Sequence, residues 1–179
     1  YQEAAAEGQP VFDFNITYQG HGPYTTDAVE WGGGAWDPTG YYENVSDYDY
    51  NVMNNYLGSV RDTGNRMLEF LNALRYDETP VVVVFWGDHN PWLGDSGCVY
   101  TDLGVNLDTQ TEEGFYNYYS TRYVMWANEA AKQVLDNDFR GEGPDLSSNY
   151  LMNELFRQLG WKGNAYMQLT EEIRQALPI

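Results

Sequence analysis

An aspartate and a histidine stand side by side at one point of this sequence. Asp88 and His89 come directly after the apolar run 81–86, and Gly87 and Pro91 flank the pair. A carboxylate oxygen and an imidazole nitrogen are ligands suited to Zn²⁺, Mn²⁺ and similar divalent ions. A turn at the glycine and the proline would let both side chains converge on one ion. The pair therefore predicts part of a divalent metal site; the alternative is a hydrogen-bonded aspartate in a turn beside a surface histidine.

The second histidine of the chain, His21, lies in a loop of the same kind. This loop follows residues 11–17, whose alternation of apolar and polar residues predicts a strand. A histidine at the end of a strand can bind an anion or transfer a proton, and an isolated solvent-exposed histidine is the alternative. Because both histidines follow predicted strands, we expect loops at one edge of a sheet to bring them together.

A long helix and a buried strand are the clearest structural signals in the sequence. Ser46 and Asp49 have the spacing of a capping box, and apolar residues then recur with the helical period to about Arg75. The run 81–86 is dominated by β-branched residues, which is typical of a strand buried on both faces of a parallel sheet. Residues 94–118 are polar and rich in turn formers, which favours irregular structure there.

The remaining elements complete an α/β pattern. Residues 122–127 predict another short strand, and helices are expected at about 147–159, with Ser147 as a possible cap, and near 170–177. Residues 31–38, rich in glycine and tryptophan, predict irregular chain. Strands alternating with helices indicate the α/β class, and we expect a mixed, largely parallel sheet flanked by helices.

The charge of the chain excludes one class of partner. Its 179 residues include 27 acidic and 9 basic residues, a formal net charge of −18, and residues 1–60 contain neither lysine nor arginine. Nucleic-acid binding is excluded because neutralising the phosphate backbone requires clustered lysine and arginine. The single cysteine excludes an internal disulfide framework. No apolar run is long enough to predict a membrane span.

Several segments, in this order, resemble the sulfatase-like family of lipoteichoic acid synthases and related phosphoglycerol transferases, within the alkaline phosphatase superfamily. Two of them carry the histidines, and a third lies in the predicted long helix. The strand after the Asp-His pair and the penultimate helix of that family also have counterparts here. The similar segments are residues 17–24, 56–62, 83–91, 122–128 and 146–160.

The resemblance implies roles for three residues. Asp88 and His89 would be two ligands of a catalytic divalent ion, most commonly manganese, with magnesium, zinc and calcium as alternatives. His21 would contact the phosphate group of the substrate and of the covalent intermediate. In the family, a metal-activated threonine attacks a phospholipid headgroup, and the phosphoryl group then passes to an acceptor.

The family pattern also implies that this sequence is a part of a larger domain. The threonine nucleophile and an acidic metal ligand normally lie well before the histidine loop, so we expect residues 1–179 to be the C-terminal portion of a sulfatase-like catalytic domain. Such a portion would be inactive alone and prone to self-association through an open strand edge. Its parent would be anchored in a bacterial cell membrane, with the active site on the extracytoplasmic face.

Two other functions stay open at this point. The first is a sulfatase or phosphodiester hydrolase on the same fold, which would differ from the transferases in its nucleophile. The second is a non-catalytic module that binds cell-wall glycans, supported by an aromatic content of 16%.

Overall fold

The computed structural model describes residues 1–31, 35–39 and 45–179 of the chain. Within these ranges the residues form seven α-helices, two β-strands and two short 3₁₀ turns. The helices are α1 (Gln2–Ala6), α2 (Asp47–Leu74), α3 (Cys98–Asp102), α4 (Glu112–Tyr119), α5 (Glu129–Leu135), α6 (Leu151–Gln158) and α7 (Ala165–Ala176); the strands are β1 (Val82–Trp86) and β2 (Tyr123–Ala127); and the 3₁₀ turns are Asp95–Gly97 and Ser148–Tyr150. None of the described helices is both long and apolar enough to cross a bilayer.

The described residues divide into two compact units. The first contains Tyr1–Phe70 and Gly87–Arg122, and the second contains Leu71–Trp86 and Tyr123–Ile179. All three residues singled out in the sequence, His21, Asp88 and His89, belong to the first unit.

The predicted long helix is confirmed as α2, together with its capping box. The backbone N–H of Asp49 donates to the Ser46 hydroxyl at 3.1 Å. In return, the Asp49 carboxylate accepts from the Ser46 hydroxyl at 2.6 Å and from the Ser46 N–H at 3.3 Å. These reciprocal bonds satisfy donors that the first turn of a helix leaves unpaired, and so they fix where α2 begins.

The core of the first unit is small and is built against α2. Val52 from this helix packs with Leu93 and Val99, and all three side chains are buried. Partly buried residues, mostly tyrosines, pack around these three: Tyr24, Tyr48, Met53, Tyr56, Cys98, Tyr100 and Leu103. The histidine loop and the segment after the Asp-His pair both contribute residues to this layer, so the core holds both segments in the same unit.

The two predicted strands at 81–86 and 122–127 are confirmed in the second unit, but the predicted parallel sheet is not. β1 and β2 pair in antiparallel register, with Val82 opposite Ala127 and Trp86 opposite Tyr123. Most of β1 is half-buried rather than buried on both faces. A run of β-branched residues indicates a strand but carries no information on the direction of its partner, and here the described partner is antiparallel.

The strand predicted over residues 11–17 is wrong for the described structure. This segment is irregular, and its apolar side chains, among them Phe12 and Ile16, are exposed. Alternation of apolar and polar residues gives a chain one apolar face, but a strand also needs a neighbour for its backbone groups. His21 therefore does not follow a strand, and the expectation that a shared sheet edge unites the two histidines is not met.

Several other boundaries differ from the sequence prediction. Residues 94–118, expected to be irregular, contain α3 and most of α4. The helix expected at 147–159 begins as a 3₁₀ turn and becomes α-helical only at Leu151, and Ser147 makes no side-chain cap bond. The last helix starts at Ala165, earlier than predicted, because Asn164 caps it. Residues 31 and 35–38 are irregular as predicted, whereas 32–34 lie outside the described residues.

Candidate functional site

The Asp88–His89 pair lies in a tight turn that begins one residue after β1. Gly87 fixes the start of this turn, since its N–H donates to the Arg122 carbonyl at 3.2 Å and its own carbonyl accepts from the Thr121 hydroxyl at 2.7 Å. The Asp88 carboxylate then accepts the N–H of His89 at 2.9 Å. Both side chains are exposed, and Asp88 Oδ2 lies 3.6 Å from His89 Nε2. The turn thus brings the two predicted ligands together on its outer side.

The orientation of the His89 ring fits a metal ligand. Its Nδ1 lies 2.8 Å from the Asn90 carbonyl oxygen. Because a carbonyl can only accept a hydrogen bond, Nδ1 carries the proton, and in the neutral ring Nε2 keeps a free lone pair. A backbone carbonyl that orients the ring in this way is a common partner of histidine ligands in proteins. One nitrogen and one carboxylate oxygen, 3.6 Å apart, are thus a suitable donor pair for a divalent ion.

Hydrogen bonds from the Asn90 side chain hold this turn against the end of α4. Its side-chain amide donates to the backbone carbonyls of Asn117, Tyr118 and Ser120, at 2.9, 3.3 and 3.0 Å. The carbonyls at the end of a helix have no partners within the helix, so a side-chain donor there satisfies groups that would otherwise need water. No sequence motif indicates this role, although an amide directly after the Asp-His pair is a residue type that can perform it.

The buried side chain of Asn55 joins the loop that carries His21 to α2. Asn55 accepts the N–H of Glu30 at 2.7 Å and donates to the carbonyls of Thr25 and Ala28, each at 2.8 Å. Close packing of the loop also depends on Gly58, where a Cβ would overlap the side chain of Trp31. A glycine inside a helix normally costs stability, so its presence here is explained by the approach of that tryptophan.

A tyrosine holds the other end of the same loop. The Tyr24 hydroxyl donates to the Gly20 carbonyl at 2.7 Å. Burial in the first place, and then the neighbouring phenols of Tyr56 and Tyr100, raise the pKa of Tyr24 to about 12. The phenol therefore stays protonated and keeps donating throughout the physiological pH range.

His21 lies at a cavity of about 80 Å³ between this loop and α2. Glu30, Trp31, Asn55 and Ser59 also line the cavity. The His21 ring stacks on Tyr18, with ring centres 4.7 Å apart. Its Nδ1 lies 2.6 Å from the Gly22 carbonyl, so this nitrogen carries a proton, as in His89, and Nε2 is left for a ligand.

Arg61 contacts Trp31, one of the residues that line this cavity. Its guanidinium donates to the carbonyl of Trp31 at 3.2 Å, on the exposed side of the loop. Arg61 is the first basic residue of the chain. Nothing local in the sequence indicates that this residue of α2 would reach the loop 30 positions earlier.

In the structure, the side chains of two of the three predicted site residues lie close together. Within the described ranges no group of three or more His, Cys, Asp or Glu side chains is arranged to hold a metal ion. Asp88 and His89 thus lie together as a pair, and His21 does not join them as a third ligand. The role expected of His21, contact with the phosphate group, stays a prediction.

Comparison with known proteins places this geometry in a family. A family model described as Sulfatase matches residues 1–161. The chain belongs to the sulfatase family. Sulfatase-family domains have an α/β fold like that of alkaline phosphatase, generally use a divalent metal ion, and act on sulfate or phosphate esters. The narrower resemblance to lipoteichoic acid synthases and phosphoglycerol transferases stays a prediction.

One curated relative also matches most of the sulfatase-family chain. It is a protein of Rhizobium meliloti (strain 1021) named for the modification of cyclic beta-1,2-glucan, and it is 22% identical over 162 residues. The matched region is 88% of this chain but 23% of the relative, so the chain spans less than a quarter of that protein's length. No solved structure matches the chain significantly.

Proposed function

We propose that this sulfatase-family chain is part of a metal-dependent enzyme that transfers a phosphoglycerol or phosphoethanolamine group from a phospholipid headgroup to a glycan of the cell envelope. The observation that carries the proposal is the Asp88–His89 turn, in which Oδ2 of Asp88 and Nε2 of His89 lie 3.6 Å apart. The threonine nucleophile and the other metal ligands would belong to a part of the parent protein outside this sequence, and residues 1–179 alone would be inactive.

Asp88 and His89 would hold the divalent ion, with manganese as the first choice and magnesium, zinc and calcium as alternatives. When bound, such an ion lowers the pKa of an attacking hydroxyl and neutralises charge on phosphoryl oxygens. Asn90 orients these two ligands. Its carbonyl accepts a hydrogen bond from the His89 ring, and its side chain binds the turn to the end of α4.

His21 and Arg61 would bind the phosphate group of the substrate. Nδ1 of His21 is committed to Gly22, so this ring can donate to a phosphoryl oxygen only through a protonated Nε2. The Arg61 guanidinium, which donates to the Trp31 carbonyl, supplies a permanent positive charge in a chain whose net charge is −18. An arginine and a histidine are donors that suit an anionic ester.

The acceptor and the location in this proposal rest on the relative and on the resemblance. The relative's name, which refers to glucan modification, supports a glucan as the molecule that is modified. A donor phospholipid and an envelope glycan would place the active site on the extracytoplasmic face of a bacterial membrane, with the parent anchored in that membrane.

Metal binding by the chain tests the proposal directly. Manganese is titrated into the 179-residue chain and followed by the loss of the free-ion electron paramagnetic resonance signal. We expect weak binding that Asp88→Asn and His89→Gln each abolish, and that Asp95→Asn, a matched change of an exposed-loop acid, leaves unchanged. Equal binding by all four proteins would contradict the assignment of the ligands.

Phosphate recognition is tested separately, with glycerol 3-phosphate as the probe and phosphorus NMR as the readout. His21→Gln and Arg61→Gln should each weaken binding, because each removes a ring or guanidinium donor proposed to contact the phosphate group. Arg66→Gln is the control, since Arg66 is also on α2 but is paired with Asp62 at 2.8 Å. An equal loss for all three variants would indicate a general charge effect instead of a site.

Hydrolysis of a sulfate or phosphate ester is the second candidate, favoured by the family match itself. The two reactions differ in the fate of the bound group. With the remaining part of the catalytic domain present, release of inorganic sulfate or a free phosphomonoester would support a hydrolase, and a phosphoryl group found on a glycan would support the transferase.

A further inference from the structure

Helix α4 displays nearly all of its side chains to solvent. Gly114 is its one buried residue, and the other seven residues of Glu112–Tyr119 are exposed. Four of these are aromatic, each 39–59% exposed, and the helix contains no aliphatic side chain. We call these four residues the α4 aromatic surface: Phe115, Tyr116, Tyr118 and Tyr119.

The helix is held in place without its aromatic side chains. Gly114 packs directly on the backbone of Asp108, where a Cβ would overlap the carbonyl group. The Thr111 hydroxyl caps the helix by accepting the N–H of Gly114 at 3.1 Å. The Asn117 side chain donates to the Asn106 carbonyl at 3.0 Å. Since backbone contact and polar bonds fix α4, the four rings are left exposed for a reason other than packing.

The rings of the α4 aromatic surface contact one another. Tyr119 lies at the centre, with its ring 4.8 Å from those of both Phe115 and Tyr118, at interplanar angles of 52° and 66°. Tyr116 meets Phe115 edge-on at 6.0 Å. The result is a continuous patch of ring surface whose tyrosines also carry hydroxyl groups.

The composition of this patch selects among ligands. Glu112 and Glu113 lie in the first turn of the same helix, and the whole chain carries −18, so a polyanion is repelled. A sugar ring offers what the patch can bind: an apolar face of C–H groups for the aromatic rings and hydroxyls for the phenols.

We propose that the α4 aromatic surface binds the neutral glycan that accepts the phosphoryl group; this inference rests on the proposed function. The position of the surface supports the assignment, because the three hydrogen bonds from Asn90 join the end of α4 to the Asp88–His89 turn. A glycan bound on these rings would lie beside the residues that are proposed to hold the metal.

Binding of a neutral glucose oligosaccharide to the 179-residue chain tests this proposal, without metal or lipid. Saturation-transfer NMR from the aromatic protons detects ring contact, and a titration gives the affinity. We expect the oligosaccharide to bind, and Tyr119→Ala to weaken it about tenfold. The matched control is Tyr166→Ala, because Tyr166 on α7 is 70% exposed, and it should leave the affinity within about twofold.

Three outcomes would overturn the assignment. They are the absence of binding to the unaltered chain, equal weakening by both tyrosine variants, and equal binding of a sulfated form of the same oligosaccharide. Loss of binding when the rest of the catalytic domain is present would also overturn it, since another segment would then cover the surface. Because Asp88→Asn should not change glycan affinity, a failure of the metal assignment is distinguishable from a failure of this one.

Discussion

Replacing Asn90 by aspartate should loosen the attachment of the candidate metal turn to α4. Asn90→Asp keeps the shape of the side chain but places acceptor oxygens against three backbone carbonyls that now receive hydrogen bonds at 2.9 to 3.3 Å. The amide has two protons to share among these carbonyls, so we count two hydrogen bonds. At about 1 kcal/mol net for each, the opening free energy of this region falls by about 2 kcal/mol.

Amide hydrogen exchange measures this change where it occurs. The Ser120 N–H donates to Tyr116 at 2.9 Å and closes the last turn of α4, so its protection reports on the attachment. A loss of about 2 kcal/mol corresponds to exchange that is about 30-fold faster. The introduced carboxyl should have a folded-state pKa above its unfolded value, because ionisation places a negative charge against the carbonyls. The defect should therefore be largest at neutral pH, shrink as the pH falls through the raised folded-state pKa, and reach its minimum below about 4, where the protonated carboxyl can donate one bond.

The control for this experiment is Asn149→Asp, which makes the same change at an exposed position. It should leave the exchange of α4 unchanged. Two results would refute the role of the three Asn90 hydrogen bonds in holding this turn. One is exchange at Ser120 that is less than about twofold faster in Asn90→Asp, and the other is a defect that does not depend on pH.

Three further predictions concern the other contacts of the first unit. Asn55→Ala should lower the free energy of unfolding by about 3 kcal/mol in urea titrations, because it leaves three backbone groups of the histidine loop unpaired; an unchanged midpoint would refute its role. Gly114→Ala should speed hydrogen exchange throughout α4, since the added Cβ overlaps the Asp108 carbonyl, whereas Gly64→Ala, with open space around the glycine, should not. Tyr24, whose pKa is raised to about 12, stabilises the fold fully below about pH 10 and loses this contribution as the pH rises through 12. Tyr24→Phe should therefore lose less stability across that interval, and equal losses in both proteins would contradict the raised pKa.

Local signals in the sequence were sufficient for part of the fold. The capping box at Ser46 and Asp49 and the apolar period after it predicted α2 correctly, because both act within one helical turn. The strand at 81–86 was also recognised from its β-branched composition. The direction of its pairing was not, because register and direction depend on the partner strand at 123–127 and leave no trace in the run itself.

Other features depend on contacts that no short pattern reveals. α4 was missed because a helix whose side chains are all exposed, apart from one glycine, has no amphipathic period. The pairing of Asp88 with His89 was predictable because the residues are adjacent. The anchoring amides of Asn55 and Asn90 were not, since their partners lie 25 to 30 positions away in the chain. Sequence reasoning thus found the groups that could do chemistry, and the structure added the groups that hold them.

The contacts that hold α4 in place are different from the side chains that are proposed to bind the glycan. Its attachment uses a glycine backbone, a threonine cap and two asparagine side chains, while the four rings contact one another and remain 39–59% exposed. Exchanging one of these rings for another side chain should therefore leave the attachment of α4 in place. Members of the family that act on different glycans could diverge at Phe115, Tyr116, Tyr118 and Tyr119 alone, and a library randomised at these four positions would be a direct route to altered acceptor choice.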